Sequence, residues 1–221
     1  MIKVLRLTSS ILGEHSVSTE LTDAVIEALR AAARGANDHS ESGVEIIERD
    51  FSATPIPHVD DAWLQALMTP EADRNDEQQA KVAFSDSLIT ELQQADLLLI
   101  ALPMYNFSVP SMLKAWNDHV ARAGVTFKYT EQGAQGLLLD KQALLVATMG
   151  GDHDSDGGDF LRPYMKHFLG FLGIDKVDII SASGLNLGAG QRKQAIDKAR
   201  QDIKRWTSQS LRVSQTKEQA A

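Results

Sequence analysis

Five short apolar runs punctuate the chain, and polar-interrupted segments with apolar residues at helical spacing separate them. The runs are Ile2–Leu7 (IKVLRL), Val44–Asp50 (VEIIERD), Leu97–Leu102 (LLLIAL), Gln142–Met149 (QALLVATM) and Val177–Ala182 (VDIISA). Runs of this length, bounded by Asp, Gly or Pro, read as strands buried on both faces of a parallel sheet. Val44–Asp50 carries the most charge, as an edge strand does. Between them the apolar stripes predict helices. Leu21, Val25, Ala28, Leu29 and Ala32 mark the first, and Ala80, Phe84, Leu88 and Leu92 mark a longer one over Glu71–Gln94. Leu113, Trp116 and Val120 follow Pro110, which suits a first helical turn because the missing N–H has no partner there. Ser108 or Val109 is the expected N-cap and Gly124 the expected end. Phe160, Tyr164, Phe168 and Phe171 mark a helix over Phe160–Leu172, and Ile196, Ala199, Ile203 and Trp206 mark the last, Gln191–Trp206.

Strand–helix alternation throughout predicts a doubly wound α/β fold, with a five-stranded parallel sheet and helices on both faces. The expected strand order is 2-1-3-4-5, with ligands bound at the carboxyl ends of the strands near the switch point between strands one and three. Residues 1–206 read as a single domain and 207–221 as a polar tail. Two stretches lie outside the pattern. Phe51–Pro70 contains Pro55, Pro57 and Pro70 and is expected to be an irregular connection with a short helix near Trp63. Thr130–Asp140, with Gly133 and Gly136, reads as a loop.

Composition narrows the function classes. The chain has 221 residues, no cysteine and a formal net charge of −8. That removes disulfides, thiolate metal sites and a cysteine nucleophile, and fits a cytoplasmic protein. The acidic balance argues against nucleic acid or an anionic membrane as partner. No apolar run approaches the ~20 residues of a membrane span. The acidic run at Asp152–Asp159 (DHDSDGGD) lacks the spacing of a calcium loop, so no metal is expected.

Candidate chemistry sits where the predicted strands end. After strand one comes Thr8–Thr19 (TSSILGEHSVST), rich in hydroxyls and leading into a helix N-terminus, a ready anion site. The Walker and dinucleotide glycine fingerprints are absent. No lysine or arginine lies in this loop, so an anion would be held by dipoles and hydroxyls. After strand three comes Pro103–Phe107 (PMYNF), in which Asn106 can donate and accept hydrogen bonds, as the imide edge of a flavin requires, while Tyr105 and Phe107 offer apolar faces. After strand four come Gly150 and Gly151, which permit close approach of backbone to a ligand, with His153 just beyond. Taken singly, each loop also has an ordinary reading: an N-capping serine, two packing aromatics before a helix, a solvent-exposed histidine. As successive loops at one sheet edge they converge.

These residues resemble the FMN-dependent NADH:azoreductases and NAD(P)H:quinone oxidoreductases of bacteria, which have a flavodoxin-like fold. The likeness covers most of the chain. It is densest in PMYNF, in Ala121–Thr130 (ARAGVTFKYT), at Gly150–Gly151 and in Phe168–Gly173 (FLGFLG). The resemblance implies FMN-phosphate contacts at Ser10, Ser16, Val17 and Ser18. It implies isoalloxazine contacts at Met104, Tyr105, Asn106, Phe107, Thr148, Met149, Gly150 and Gly151, with His153 near the flavin. Phe107, Tyr129 and Phe171 are implied to line the substrate pocket. Met149 stands where some members carry a polar or basic residue, which implies main-chain contact only. The Phe51–Pro70 region matches poorly, and substrate preference is least transferable there.

The implied activity is reduction of quinones and azo compounds with NADH or NADPH as electron donor, by two-electron ping-pong hydride transfer in a homodimer with sites at the subunit interface. The flavin carries the chemistry and the protein positions it, so no catalytic side chain is assigned. Two other readings share the fold: a flavodoxin-like electron carrier, and a flavin-free binding protein. An acyl carrier protein phosphodiesterase is set aside, for want of any metal or nucleophile constellation.

Overall fold

The computed structural model describes residues 1–36, 43–153 and 157–218. Residues 154–156 of the acidic run at Asp152–Asp159 lie outside them. Among the described residues the order is β1 (Ile2–Thr8), α1 (Val17–Ala36), β2 (Val44–Asp50), α2 (Asp61–Met68), α3 (Asp76–Gln94), β3 (Leu97–Pro103), α4 (Ser111–Val120), β4 (Phe127–Thr130), β5 (Gly133–Gly136), β6 (Gln142–Thr148), α5 (Leu161–Phe171), β7 (Lys176–Ala182) and α6 (Ala189–Glu218). Five strands form one parallel sheet in the order β2-β1-β3-β6-β7. Counting only that sheet's strands, this is the expected 2-1-3-4-5.

The period-2 alternation of side chains assigns each strand residue to one of two cores. Leu5, Leu7, Leu98, Ile100, Leu102, Ala143 and Leu145 face α3, α4 and α5, meeting Leu88, Leu113, Trp116, Met165 and Leu169. Val4, Leu97, Leu99, Leu144 and Val146 face α1 and α6, meeting Leu21, Val25, Leu29, Ala199 and Ile203. Each fully buried Leu or Ile stabilises the fold by roughly 1.5–3 kcal/mol. Every residue of β3 is buried, as its unbroken apolar run predicts for the central strand. The charged strand β2 lies at an edge.

Several expectations need correction. The helix expected over Glu71–Gln94 begins only at Asp76, where Asn75 Oδ1 caps it by accepting from the Gln78 N–H at 2.9 Å. Thr130–Asp140 is not simply a loop, because β4 and β5 pair antiparallel in a hairpin of their own. Its second strand, GAQG, has no hydrophobic alternation to betray it. Gly136 is there for contact: a Cβ on it would lie 2.1 Å from the Gly173 nitrogen. Next, α4 ends at Val120 and not at Gly124. The buried Thr126 hydroxyl donates to the Val120 carbonyl at 2.6 Å and accepts from the Arg122 N–H at 2.9 Å, closing the helix early. Neither Ser108 nor Val109 caps its start, where Pro110 stands without a side-chain cap. Finally, α6 runs on from Trp206 to Glu218, across a stretch with no glycine or proline to stop it.

The irregular stretch 51–70 does contain the short helix α2 around Trp63, and a buried polar chain ties it down. Trp63 Nε1–H donates to Ser85 Oγ at 2.8 Å, and Ser85 Oγ lies 2.6 Å from His119 Nδ1. His119 Nε2 meets the Pro57 carbonyl at 2.9 Å. A carbonyl only accepts, so Nε2 carries the proton and Nδ1 accepts from Ser85. Burial pushes the His119 pKa below the ordinary histidine value.

Candidate functional site

The loops after β1, β3 and β6 meet at the carboxyl edge of the sheet. In the first, Ser9, Ser10, Ser16 and Ser18 are all buried. Ser9 Oγ donates to the Ala101 carbonyl at 3.2 Å, fastening the loop to β3. Ser10 Oγ lies 2.9 Å from the Tyr105 hydroxyl, which also accepts from the Ile11 N–H at 3.1 Å. The serine loop and the PMYNF loop are therefore one hydrogen-bonded unit. Ser16 Oγ and Ser18 Oγ are 2.9 Å apart at the start of α1. The N–H groups of Val17, Ser18 and Thr19 open the helix and have no carbonyl within it. Hydroxyls, free N–H groups and the helix dipole together make an anion site without a cation in the loop.

A buried cation ties β1 to the first turns of α1, though its charge is matched by two carboxylates. Arg6, on β1, is 5% exposed. Its guanidinium donates to the Thr19 carbonyl at 3.1 Å and to Thr22 Oγ1 at 3.1 Å, and pairs with Asp23 and Glu48 at 2.7 and 3.0 Å. Nothing in the sequence marks it, because Arg6 occupies a strand position outside the hydroxyl-rich loop.

In the second loop, Tyr105 and Ser108 exchange backbone hydrogen bonds at 3.1 Å in both directions. The two residues between them, Asn106 and Phe107, have φ of 49° and 71°. Two positive-φ residues between a bonded pair make the turn of a tight hairpin, whose second place suits glycine. Asparagine tolerates this conformation and phenylalanine does not, at a cost of about 1–3 kcal/mol. The strain holds the Phe107 ring outward, 52% exposed, edge-on to His153 at 5.4 Å.

In the third loop the carbonyls of Gly150 and Gly151 accept from Asn186 N–H at 2.9 Å and Gly184 N–H at 2.8 Å. Their own N–H groups donate to nothing among the described residues, and so remain available. The loop after β7 thus backs the glycine pair, a support the sequence reading did not find. A Cβ on Gly150 would come within 2.5 Å of the Asn186 amide, and one on Gly151 within 2.8 Å of the His153 ring. Met149 is buried, and its N–H and carbonyl are both spent on the chain, with Ala182 and Leu185. Thr148 is buried at the end of β6, and its carbonyl accepts from the Met104 N–H at 2.8 Å.

Tyr129 and Phe171 are elsewhere. The β4–β5 hairpin and the end of α5 lie at the amino edge, joined by Leu138 N–H to the Leu172 carbonyl at 2.9 Å. Both rings pack on Phe127, with centroids 5.4 and 4.4 Å away. One chain therefore brings together Ser10, Ser16, Val17, Ser18, Met104–Phe107, Thr148–Gly151 and His153, and leaves Tyr129 and Phe171 at the opposite end of the sheet. Beside the hairpin turn a cleft of about 450 Å³ is lined by Tyr105, Asn106, Ser108, Ser111, Lys114 and Tyr164. A larger cavity of about 650 Å³, near Trp206 and Lys141, lies at the amino edge away from these loops.

Residues 2–207 match the sequence profile of a family described as having a flavodoxin-like fold. An FMN-dependent NADH:quinone oxidoreductase of Alcanivorax borkumensis is 43% identical over 202 residues, spanning 91% of this chain and 98% of the relative. One of Shewanella amazonensis is 44% identical over 203 residues, spanning 92% and 98%. The chain belongs to this flavodoxin-like family of FMN-dependent NADH:quinone oxidoreductases. Its fold is also that of an FMN-dependent NADH-azoreductase from Bacillus anthracis solved with FMN, with a TM-score of 0.83 at 23% identity over 95% of this chain and 99% of that one. The donor set fits the family's cofactor: buried hydroxyls and free first-turn N–H groups suit a phosphate, and the unpaired glycine N–H groups suit the polar edge of a flat heterocycle.

Proposed function

We propose that this protein is an FMN-dependent NADH:quinone oxidoreductase that also reduces azo compounds. The observation that carries this reading is the meeting of three loops at one edge, the first and third with open N–H groups, in a chain more than 40% identical to named reductases. FMN, when bound, supplies the two-electron hydride chemistry, first accepting from NADH and then giving to the acceptor. The chain's part is positional and electrostatic. Ser10, Ser16 and Ser18, with the first turn of α1, hold the phosphate. Asn106 reads the imide edge. The N–H groups of Gly150 and Gly151 would serve as preorganised donors to the flavin edge that gains negative charge on reduction. Phe107 and His153 wall the ring's surroundings and exclude water. Residues 1–206 serve as one FMN-binding unit.

We further read the enzyme as a homodimer. Tyr129 is 76% exposed, and it shares Phe127 with Phe171 at the amino edge, beyond reach of its own chain's loops. If both rings line a substrate pocket, that pocket belongs to a second copy. Symmetric pairing then builds two sites at the interface. No helix among the described residues is long and apolar enough to cross a membrane, and the lack of cysteine supports a cytoplasmic setting. A carrier role is not favoured, since the named relatives are reductases.

An anaerobic stopped-flow experiment tests the reading. FMN-loaded protein mixed with NADH is expected to bleach rapidly at the flavin absorbance band, and benzoquinone is expected to restore it. A flavin that stays oxidised with NADH overturns the reading.

A further inference from the structure

Asn117 sits in α4 with 0% exposure. A buried carboxamide is costly unless its groups are paired. This one is only half paired. Its Nδ2 donates to the Tyr164 hydroxyl at 3.1 Å and touches the Met165 sulfur at 3.6 Å. Its Oδ1 has no partner among the described residues. Leucine has the same branched shape, with more bulk, and would leave no orphaned acceptor. The α4–α5 seam does not need the bond, because Leu113, Trp116, Met165 and Leu169 already pack it. What the amide adds is direction for a phenol.

Tyr164 opens into the cleft beside Tyr105 and Asn106. Its ring is held by Phe168, stacked at 6.2 Å and 18°. The hydroxyl oxygen accepts from Asn117, and its own proton has no acceptor among the described residues. A phenol held from behind through its oxygen presents its proton forward. Accepting one hydrogen bond also strengthens the next one it gives.

We propose that Tyr164 donates a hydrogen bond to a carbonyl oxygen of the quinone, and that Asn117 is the positioning residue that aims it. This rests on the quinone-reductase reading above. A quinone that takes up a hydride gains two electrons and one proton, and negative charge rests on its oxygen until a second proton arrives from water. Tyr164 keeps its own proton throughout and stabilises that charge as a preorganised donor. Azo compounds develop charge on nitrogen, at a different place, so the hydroxyl discriminates between the two acceptor classes.

The test uses FMN-loaded Tyr164→Phe, Asn117→Leu and the double variant, with 1,4-naphthoquinone as probe. Its Kd is measured against oxidised protein without NADH, by fluorescence quenching. Its kcat/KM is measured relative to that of ferricyanide, a one-electron acceptor that takes no hydride. Each single variant is expected to weaken naphthoquinone binding about fivefold and to lower the naphthoquinone-to-ferricyanide ratio about tenfold, roughly what the loss of one hydrogen bond is worth. The double variant is expected to be no worse than Tyr164→Phe, since the two act as one unit. Asn117→Ser serves if the leucine variant fails to fold. An unchanged ratio in Tyr164→Phe, or equal loss with both acceptors, overturns the proposal. Additive losses in the double variant overturn the positioning role. Dithionite-reduced protein reoxidised by naphthoquinone gives the same comparison without NADH, so failure of NADH to reduce the flavin sinks the broader reading and leaves this one measurable.

Discussion

At the amino edge of the sheet the polar groups are paired off. Lys141 Nζ donates to the Gln93 and Ala95 carbonyls at 2.6 and 2.8 Å, closing the end of α3, and the Asp96 carboxylate accepts from the Lys3 N–H at 2.8 Å. At the carboxyl edge of the same sheet the N–H groups of Gly150, Gly151 and the first turn of α1 are left open, and Phe107 sits in a conformation its side chain avoids. A fold stabilised on its own account would resemble the first edge throughout. The open donors and stored strain of the second are what a ligand would satisfy and exploit. The amino edge departs from this pattern in the exposed Tyr129 beside Phe127 and Phe171, in the exposed Leu139, and in Asp140, whose φ is also positive at 63°. On the homodimer reading, Tyr129 is what this edge offers the open edge of another copy.

The largest expected effect comes from damaging the open edge. Ser18→Ala removes a buried hydroxyl from the anion site at the head of α1. A hydrogen bond to a charged group contributes about 1.5–3 kcal/mol, so FMN affinity should weaken roughly 10–100-fold. Riboflavin, which has no phosphate, should bind as before. Fluorescence titration with both ligands measures this, and an equal loss for both would show that the serine loop does not hold the phosphate.

Joining the two edges gives the next test. Tyr129→Ala should leave stability within about 0.5 kcal/mol, as exposed substitutions do, and FMN affinity unchanged, while raising the quinone KM. Mixing it with Ser18→Ala after dissociation should restore activity to about one quarter of wild type. Half of the dimers are mixed, and half of their sites combine intact loops with an intact tyrosine. Absence of any recovery in dimers shown to have exchanged would refute the shared site.

Phe107→Gly trades the strain for nothing. Glycine is at home in the second place of this turn, so the melting free energy should rise by about 1 kcal/mol. Turnover with quinone should fall about tenfold, because the ring that faces His153 is gone. A variant that is both less stable and fully active would mean that the left-handed turn has no functional purpose.

His119 lies in neither edge, and titrating it separates fold from site. Burial lowers its pKa, so the unfolded chain binds a proton from about pH 6.5 downward while the folded chain still refuses it. Stability contributed by the neutral ring is complete above pH 6.5 and is lost as pH falls toward the depressed value, at no more than about 1.4 kcal/mol per pH unit. Chemical denaturation between pH 7 and 5 should show this slope in wild type and not in His119→Leu, with FMN affinity following neither.

Much of this was legible in the chain because the parallel sheet writes itself in unbroken apolar runs. Leu97–Leu102 is both the clearest run and the central strand, and PMYNF and Gly150–Gly151 announce their places by following strands. The hairpin at 127–136 was not legible, since GAQG earns its conformation from the Gly136–Gly173 contact, which is a tertiary fact. The same holds for Arg6 under α1, for Asn117 behind Tyr164, and for the placement of Tyr129 away from Phe107. Spacing along the chain tells which edge a loop belongs to only when the strand before it is recognised, and β4 was not.

The smallest effect belongs to the closed edge itself. Lys141 is partly buried, and burial lowers its pKa, yet its ammonium is held by two carbonyls at the end of α3. Lys141→Met keeps the aliphatic stem and removes both bonds. A charge near a helix C-terminus is worth about 0.3–1 kcal/mol, and of the two carbonyls left behind the one on exposed Gln93 is open to water while Ala95 is buried. Denaturation should therefore register a loss of about 1 kcal/mol, with FMN affinity and the NADH reduction rate unmoved. Should FMN affinity fall along with stability, the two edges would be energetically coupled, and the division between a closed edge that holds the fold and an open edge that binds would have to be given up.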